Sequence, residues 1–444
     1  MKLHDWIQYR SYGDYTVVYD TKKGCKTIFE GIAYDILELL RDDITFDEIV
    51  HHIVKEYELT EEDCVAVADD VSLFISQISA SGMIDDASGA SLDLEEDSDK
   101  ALVRICNEQH QLEHVYFELT YACNQKCVHC YEEHDKVSTD LSYQELCTIL
   151  DELKDMGVLE VTFTGGEVAT RKDFIALCAY ASLLGFVVHI YTNGIGFTDE
   201  DIAQLCEMNI ADISFSIYSI DPLVHDAITM IPGSLYRTMR TMFAFKSAGV
   251  RVIIKTVVMK QNNDGFKNVV DFAKIMHIPL ETSMQILPTS PEDMRPIRYR
   301  LGDEEQYFKN MLYEATAFGY GINTNIFCKE KRTSVCGLGQ CLNITPDGTV
   351  YPCNILNIGL GNLREQSVQE IWNSATLQNL RKFNVCHLDT KCQNCENLNY
   401  CLYCPGAVLR ETGSMVTPAS DTCSIARAKK RVYEFMSITK GETL

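Results

Sequence analysis

Hydrophobic positions change period in a repeating order between residues 111 and 290. Val115-Tyr-Phe-Glu-Leu-Thr120 is β-branched and aromatic and reads as a strand. Ser142 to Met156 reads as a helix, with Ser142 as N-cap and Glu145 completing a capping box. Leu159-Glu-Val-Thr-Phe-Thr164 reads as the next strand and runs into Gly165-Gly166-Glu167. Three more pairs follow: a strand at Phe186–Tyr191 with a helix at Asp199–Met208, Ile213–Tyr218 with Ser234–Ala248, and Val250–Met259 with Gly265–Met276. Alternation of this length predicts an α/β fold built on a parallel sheet with right-handed crossovers. The working loops of such sheets lie at the C-terminal strand ends. A cysteine-rich run after Thr120, the Gly-Gly-Glu turn, Thr192-Asn193-Gly194 and Ser216/Tyr218 should therefore face one mouth.

The flanking segments follow other patterns. Tyr15–Tyr19 and Lys26–Phe29 read as short strands, followed by helices near Gly31–Leu40, Thr45–Tyr57 and Thr60–Ala80. The third helix opens with Thr60 as N-cap and Glu61, Glu62 and Asp63 as an acidic first turn. This order is a small winged-helix plan over residues 1–84. Residues 85–110 are acidic and Ser-rich and read as a solvated linker. Toward the C-terminus, Pro346-Asp347-Gly348 between apolar residues reads as a hairpin turn. Ser367–Phe383 reads as one amphipathic helix with Ile371, Trp372, Leu377 and Leu380 on its apolar side.

The cysteines change this picture most. Cys123, Cys127 and Cys130 stand as C-x3-C-x2-C. Three thiolates this close can hold a [4Fe–4S] cluster by three of its irons and leave the fourth open to a small chelating molecule. A zinc site is the competing reading, with His129 and His134 nearby. A second system comprises Cys336, Cys341, Cys353, Cys392, Cys395, Cys401, Cys404 and Cys423, enough for two fully ligated clusters or a pair of zinc sites. Cys64, Cys147, Cys178 and Cys206 lie within helical patterns and read as small core hydrophobes; Cys328 and Cys386 flank the second system.

With these residues in place, the chain resembles a radical S-adenosylmethionine (SAM) enzyme. The cysteine triplet, Gly165-Gly166-Glu167 and the stretch from Ser214 to Thr229 carry the resemblance. It implies a partial (β/α)6 barrel over residues 111–325. It also implies SAM chelated at the open iron and cleaved to a 5′-deoxyadenosyl radical that abstracts a substrate hydrogen. Gly165, Gly166 and Glu167 would hold the methionyl amino group. Asn193 and Ser216 would bond the ribose or carboxylate, and Arg237 would pair with the carboxylate.

Residues 326–444 resemble the SPASM extension of peptide-modifying members, except that two residues instead of three separate Cys401 from Cys404. The resemblance implies an inner auxiliary cluster on Cys336, Cys341, Cys353 and Cys404, and an outer one on Cys392, Cys395, Cys401 and Cys423. That makes three [4Fe–4S] clusters with SAM as cofactors. Residues 1–84 resemble the recognition element for ribosomally made, modified peptides, which adds a leader peptide to a sheet edge. Lys26, Thr27 and Ile28 lie on the expected edge strand.

These readings converge on a maturase that installs an oxidative thioether, C–C or C–O crosslink in a precursor peptide. Flavodoxin or ferredoxin would be the reductant. An anaerobic formylglycine-forming type of maturase is the alternative enzyme, and a zinc-dependent winged-helix regulator the alternative of another class. Charge narrows the partners. Residues 1–90 hold seven Lys and Arg against 19 Asp and Glu, a balance of −12 that disfavours nucleic acid. The whole chain carries −25. No apolar run approaches the roughly 18–20 residues of a membrane span, and Met1–Arg10 lacks a signal core. With 19 cysteines and no such signal, reduced, metal-bound thiols in the cytoplasm are expected.

Overall fold

The computed structural model describes residues 1–60, 63–85, 98–132, 139–319 and 335–440. The expectations placed on Glu61, Glu62, His134, Cys328 and the acidic centre of the linker lie outside the described residues.

The N-terminal unit begins with three antiparallel strands in the order β1-β2-β3: β1 (Ile7–Tyr12), β2 (Tyr15–Asp20) and β3 (Cys25–Glu30). Three helices cover one face: α1 (Ala33–Leu39), α2 (Phe46–Glu56) and α3 (Cys64–Ala80). Their apolar sides form one core with Ile7, Tyr9 and Val18. The structure adds β1 to the sequence reading. It also starts α3 at Cys64, and the Asp63 carboxylate accepts from the Thr60 backbone N–H and hydroxyl.

The expected linker is ordered in its second half. Helix α4 (Ser98–Gln109) buries Leu102, Ile105 and Cys106 against Tyr12, Val17 and Tyr19. Spacing of three and four residues marks this apolar side, and the acidic run before it masked the signal.

The central sheet alternates strand and helix: β4 (His114–Glu118), α5 (Tyr143–Asp155), β5 (Glu160–Thr164), α6 (Phe174–Leu183), β6 (Val187–Thr192), α7 (Asp199–Glu207) and β7 (Ile210–Ser216). Then come α8 (Pro222–Thr229), α9 (Ser234–Ser247), β8 (Val252–Val257), α10 (Phe266–Ile275), β9 (Leu280–Ser283) and α11 (Glu304–Phe318). Strands β4 to β9 pair in parallel, in sequence order. This is the expected partial barrel. The Ser142–Glu145 capping box at α5 is present in both directions. Outward residues such as Val161, Phe163, Ile190, Ile213 and Ile254 make the core with the helices.

The C-terminal region continues the same sheet. Strands β10 (Cys341–Ile344), β11 (Thr349–Tyr351) and β12 (Gly361–Asn362) extend it to nine strands, with β10 parallel to β4 and antiparallel to β11. The hairpin at Pro346–Gly348 forms as expected.

Ser367–Phe383 is two helices, α12 (Val368–Trp372) and α13 (Ala375–Arg381). Ser374 caps the second by accepting from the Leu377 N–H, so the chain restarts where one continuous helix was expected. Ile371, Trp372 and Leu377 are buried nonetheless. Helices α14 (Thr390–Gln393), α15 (Pro405–Thr412) and α16 (Ser420–Lys440) complete the chain, α16 packing along α11.

The N-terminal sheet seats on the base of the barrel, at the N-terminal strand ends. Arg10 donates to the carbonyls of Val158, Leu184 and Gly185, and Arg251 to that of Lys23. Lys26 reaches into the base, its Nζ 2.6 Å from Glu113 and 2.5 Å from Glu160. Glu160 continues to His189 Nε2 at 2.9 Å, and His189 Nδ1 to Asp212 at 2.8 Å.

Burial alone would lower the pKa of His189. The hydrogen bonds and charges of Asp212 and Glu160 overcome it and raise the imidazole to about 9. The stability this pairing contributes is complete below the unfolded value near 6.5 and is lost as pH rises through about 9. Urea unfolding of the wild type should therefore show up to about 3 kcal/mol less stability at pH 9.5 than at pH 6 from this group. His189→Gln should flatten that difference, and equal pH profiles for the two proteins would refute it.

Candidate active site

The loop after β4 carries the cysteine triplet, and the Gly-Gly-Glu turn after β5 holds it from below. Gly166 N–H donates to the Thr120 carbonyl at 2.7 Å, and Glu167 N–H to that of Ala122 at 2.9 Å. The approach is so close that a Cβ on Gly166 would sit 2.3 Å from the Ala122 oxygen. A Cβ on Gly165, at φ +129°, would sit 2.6 Å from that of Thr120. Only glycine fits both places. Helix α8 braces the other side, where Lys126 and Val128 N–H groups donate to Thr229 and Ile228.

The three cysteines, Gly165, Gly166, Asn193 and Ser216 line one cavity of about 470 Å³ at the C-terminal strand ends. The expected convergence on one mouth holds for these residues. Asn193 Nδ2 donates to Asn124 Oδ1 at 2.7 Å, and its Oδ1 accepts from Ile195 N–H.

Glu167 is placed differently. Its carboxylate is buried and accepts from the Ala169 and Asn193 N–H groups and the Thr192 hydroxyl. Desolvation outweighs these three donors and raises its pKa to about 7. Glu167 thus ties the β5 and β6 loops together.

Arg237 is not brought to the cavity. On the exposed first turns of α9 its guanidinium folds back onto the carbonyls of Gly233 and Pro232.

Sequence reading gave no role to Asn124, Gln125 or Thr192, and considered His129 only beside a zinc reading. His129 lies edge-on to Tyr218, ring centroids 4.7 Å apart, with Nδ1 buried and unbonded. Burial lowers its pKa to about 4, so the ring is neutral. Its place between Cys127 and Cys130 is the one signal that puts it inside the loop.

The donor set suits clusters. Among the described residues, no three His, Cys, Asp or Glu side chains close around one single-ion position. Cluster thiolates each take a different iron, so neighbouring thiols on one cavity wall can share one cluster. Cys123, Cys353 and Cys404 sulfurs each accept a backbone N–H two or three residues on, from Gln125, Leu356 and Ala407. Such bonds stabilise sulfur that carries charge. Cys130 is pushed up to about 12 chiefly by burial, so uncompensated thiolates are costly here and a cationic metal group would offset that cost.

The second cysteine system lies in two places. Burial, with the neighbouring Cys353 and Cys336, pushes the Cys341 thiol up to about 12, and Cys353 also adjoins Cys404. Cys392, Cys395, Cys401 and Cys423 line a separate cavity of about 490 Å³ that does not include Cys404. Despite its short spacing, Cys404 turns away as the N-cap of α15. Cys147 and Cys178 are buried as expected, while Cys64 and Cys206 are half-buried and Cys386 is exposed.

Comparison with known proteins agrees with this geometry. Residues 117–273 match the radical SAM superfamily, and residues 336–396 match an iron–sulfur cluster-binding domain, SPASM. An AdoMet-dependent heme synthase of Methanosarcina barkeri is 28% identical over 67% of this chain and 93% of its own. A PqqA peptide cyclase of Rhizobium meliloti is 25% identical over 57% of this chain and 72% of its own. The crystal structure of Streptococcus suis SuiB bound to precursor peptide SuiA covers 95% of this chain and 99% of its own, with TM-score 0.61 at 15% identity. Native anSMEcpe with bound AdoMet and Kp18Cys peptide covers 74% and 98%, with TM-score 0.60 at 17% identity. The chain is an enzyme with a radical SAM domain over residues 117–273 and a SPASM iron–sulfur cluster-binding domain over residues 336–396.

Proposed function

We propose that this enzyme modifies a ribosomally made precursor peptide and closes an oxidative crosslink, a thioether or a C–C or C–O bond. The observation that carries the reading is the N-terminal unit. Its sheet ends in β3, an edge strand joined among the described residues to β2 alone, and is seated on a barrel whose mouth holds the cysteine triplet. An edge strand offers main-chain donors and acceptors to an extended peptide.

Lys26 and Ile28 point toward the barrel and Thr27 is buried, so what these residues present outward is backbone. A leader held there lies at the base. The five residues of β5 span roughly 17 Å, so a handful of extended residues would carry the chain to the mouth. The precursor of SuiB and the named substrate of the PqqA peptide cyclase support a peptide partner by analogy.

When bound, the Cys123–Cys127–Cys130 cluster and SAM would supply the radical that takes hydrogen from the peptide. Gly165 and Gly166 line the space for the methionyl amino group, with Glu167 beneath them. Asn193 and Ser216, which line the same cavity, would bond the ribose or carboxylate. Arg237 would have to swing from Gly233 to reach it.

The inner cysteine set adjoins the cavity, since Asn354 and Ile355, next to Cys353, line it. That is where an electron left by bond closure would exit. The outer set lines the separate cavity and would hold a third cluster. A low-potential carrier such as flavodoxin or ferredoxin would supply electrons.

Heme formation is the competing reading, since heme synthases are among the sequence relatives at up to 28% identity. A formylglycine-type reaction is a third.

The experiment is co-expression with a short precursor encoded beside the gene and mass spectrometry of the peptide. A mass loss of about two hydrogens is expected. Cys395→Ala and Cys401→Ala should keep part of SAM cleavage but lower crosslinked product at least tenfold. Equal loss of both activities would remove the separate electron role, and an unmodified peptide alongside heme formation would overturn the reading.

A further inference from the structure

We propose that Lys255 is the cavity's binding point for a carboxylate on the substrate, with Glu281 holding that place when substrate is absent. This rests on the cavity being the peptide chamber. The register of the sheet sets the arrangement. Ser216, Lys255 and Glu281 are lateral partners on β7, β8 and β9 and lie in one row across the inner face. Ser216 borders the part of the cavity read as the SAM site; Lys255 is one strand farther from Gly165 and Gly166, about 4.8 Å.

Among the described residues lining the cavity, Lys255 is the only Lys or Arg. Its ammonium lies 4.1 Å from the Tyr191 ring centroid and pairs with Glu281. Burying a cation is costly unless it is paired, and the ring supplies only part of the compensation.

The two members of the pair are unequal. The Lys255 side chain is 27% exposed and fixed between Tyr191 and the sheet, whereas Glu281 is 54% exposed on the terminal strand β9. An exposed carboxylate on an edge strand can rotate into water at little cost, because exposed ion pairs contribute little. A substrate carboxylate entering from the mouth would then take its place on a cation already held in position. The matching substrate is a peptide with an acidic side chain at or next to the modified residue.

The test uses the reconstituted enzyme with SAM and two probes, N-acetyl-glutamate N-methylamide and N-acetyl-glutamine N-methylamide, followed by saturation-transfer NMR. The glutamate probe should bind at least tenfold more tightly than the glutamine probe. Glu281→Gln should tighten the glutamate probe severalfold, because the internal competitor is gone. Lys255→Met should erase the preference, and Lys255→Arg should keep it. Equal binding of both probes, or no tightening in Glu281→Gln, overturns the proposal. So does a Lys255→Met protein that loses SAM affinity but keeps the preference, since Lys255 would then serve SAM. A Lys255-dependent preference in an enzyme that modifies no peptide would sink only the peptide reading. Full turnover of a precursor whose acidic core residues are all amides would sink only this one.

Discussion

Replacing Cys123, Cys127 and Cys130 together by alanine should remove about four irons per chain from the reconstituted protein and abolish reductive SAM cleavage. The reason is local. All three thiols line the same cavity and, with the neighbouring loop residues, form its cysteine-bearing wall. Of the groups beside them, His129 is neutral and packed on Tyr218, and Glu167 is committed to three donors. The fold should survive, because the loop is held by backbone bonds from Gly166, Glu167, Lys126 and Val128, which the substitutions leave intact. Iron and sulfide analysis, with chromatography of 5′-deoxyadenosine, checks both halves. A triple variant that still cleaves SAM would show that catalysis resides elsewhere. One that unfolds would show that the loop depends on its ligands.

Lys26→Met should destabilise the protein by about 3–5 kcal/mol, the usual cost of removing one partner from a buried ion pair. Lys26 is mostly buried and is the cation that closes on both Glu113 and Glu160. Its own pKa is raised because those two carboxylates outweigh the desolvation that opposes them. Without it, Glu113, already pushed up by burial, and Glu160 would face each other in a dry site. Glu113→Gln in the same protein should recover part of the loss, because one of the two charges is then gone. Urea unfolding followed by circular dichroism measures it. A loss under about 1 kcal/mol would mean that water reaches the base of the barrel. The same experiment separates structure from recognition. If Lys26→Met weakens leader binding only in proportion to unfolded protein, the leader contact is main chain, as proposed for β3.

Periodicity alone determined the alternating strands and helices between residues 114 and 276 and the mouth to which their loops converge, and cysteine spacing the triplet after β4; the division of the C-terminal cysteines into two sets came from the resemblance to the SPASM extension. These signals are local. A strand shows its β-branched run, a capping box shows itself within four residues, and the thiols of the triplet recur within one loop.

Only the tertiary structure decided what lies between the units. Nothing local shows that β10 would pair with β4 and make the C-terminal hairpin part of the barrel sheet. The same holds for the N-terminal sheet, which seats on the base of the barrel through Lys26, Arg10 and α4. Glu160, His189 and Asp212 sit on three successive strands and become neighbours only when the strands register. Side-chain direction was also beyond the sequence. The resemblance placed Arg237 and Glu167 at the site, yet the guanidinium turns to the carbonyls of Gly233 and Pro232 and the buried carboxylate to three donors at Ala169, Thr192 and Asn193, because a buried polar group left unpaired is costly.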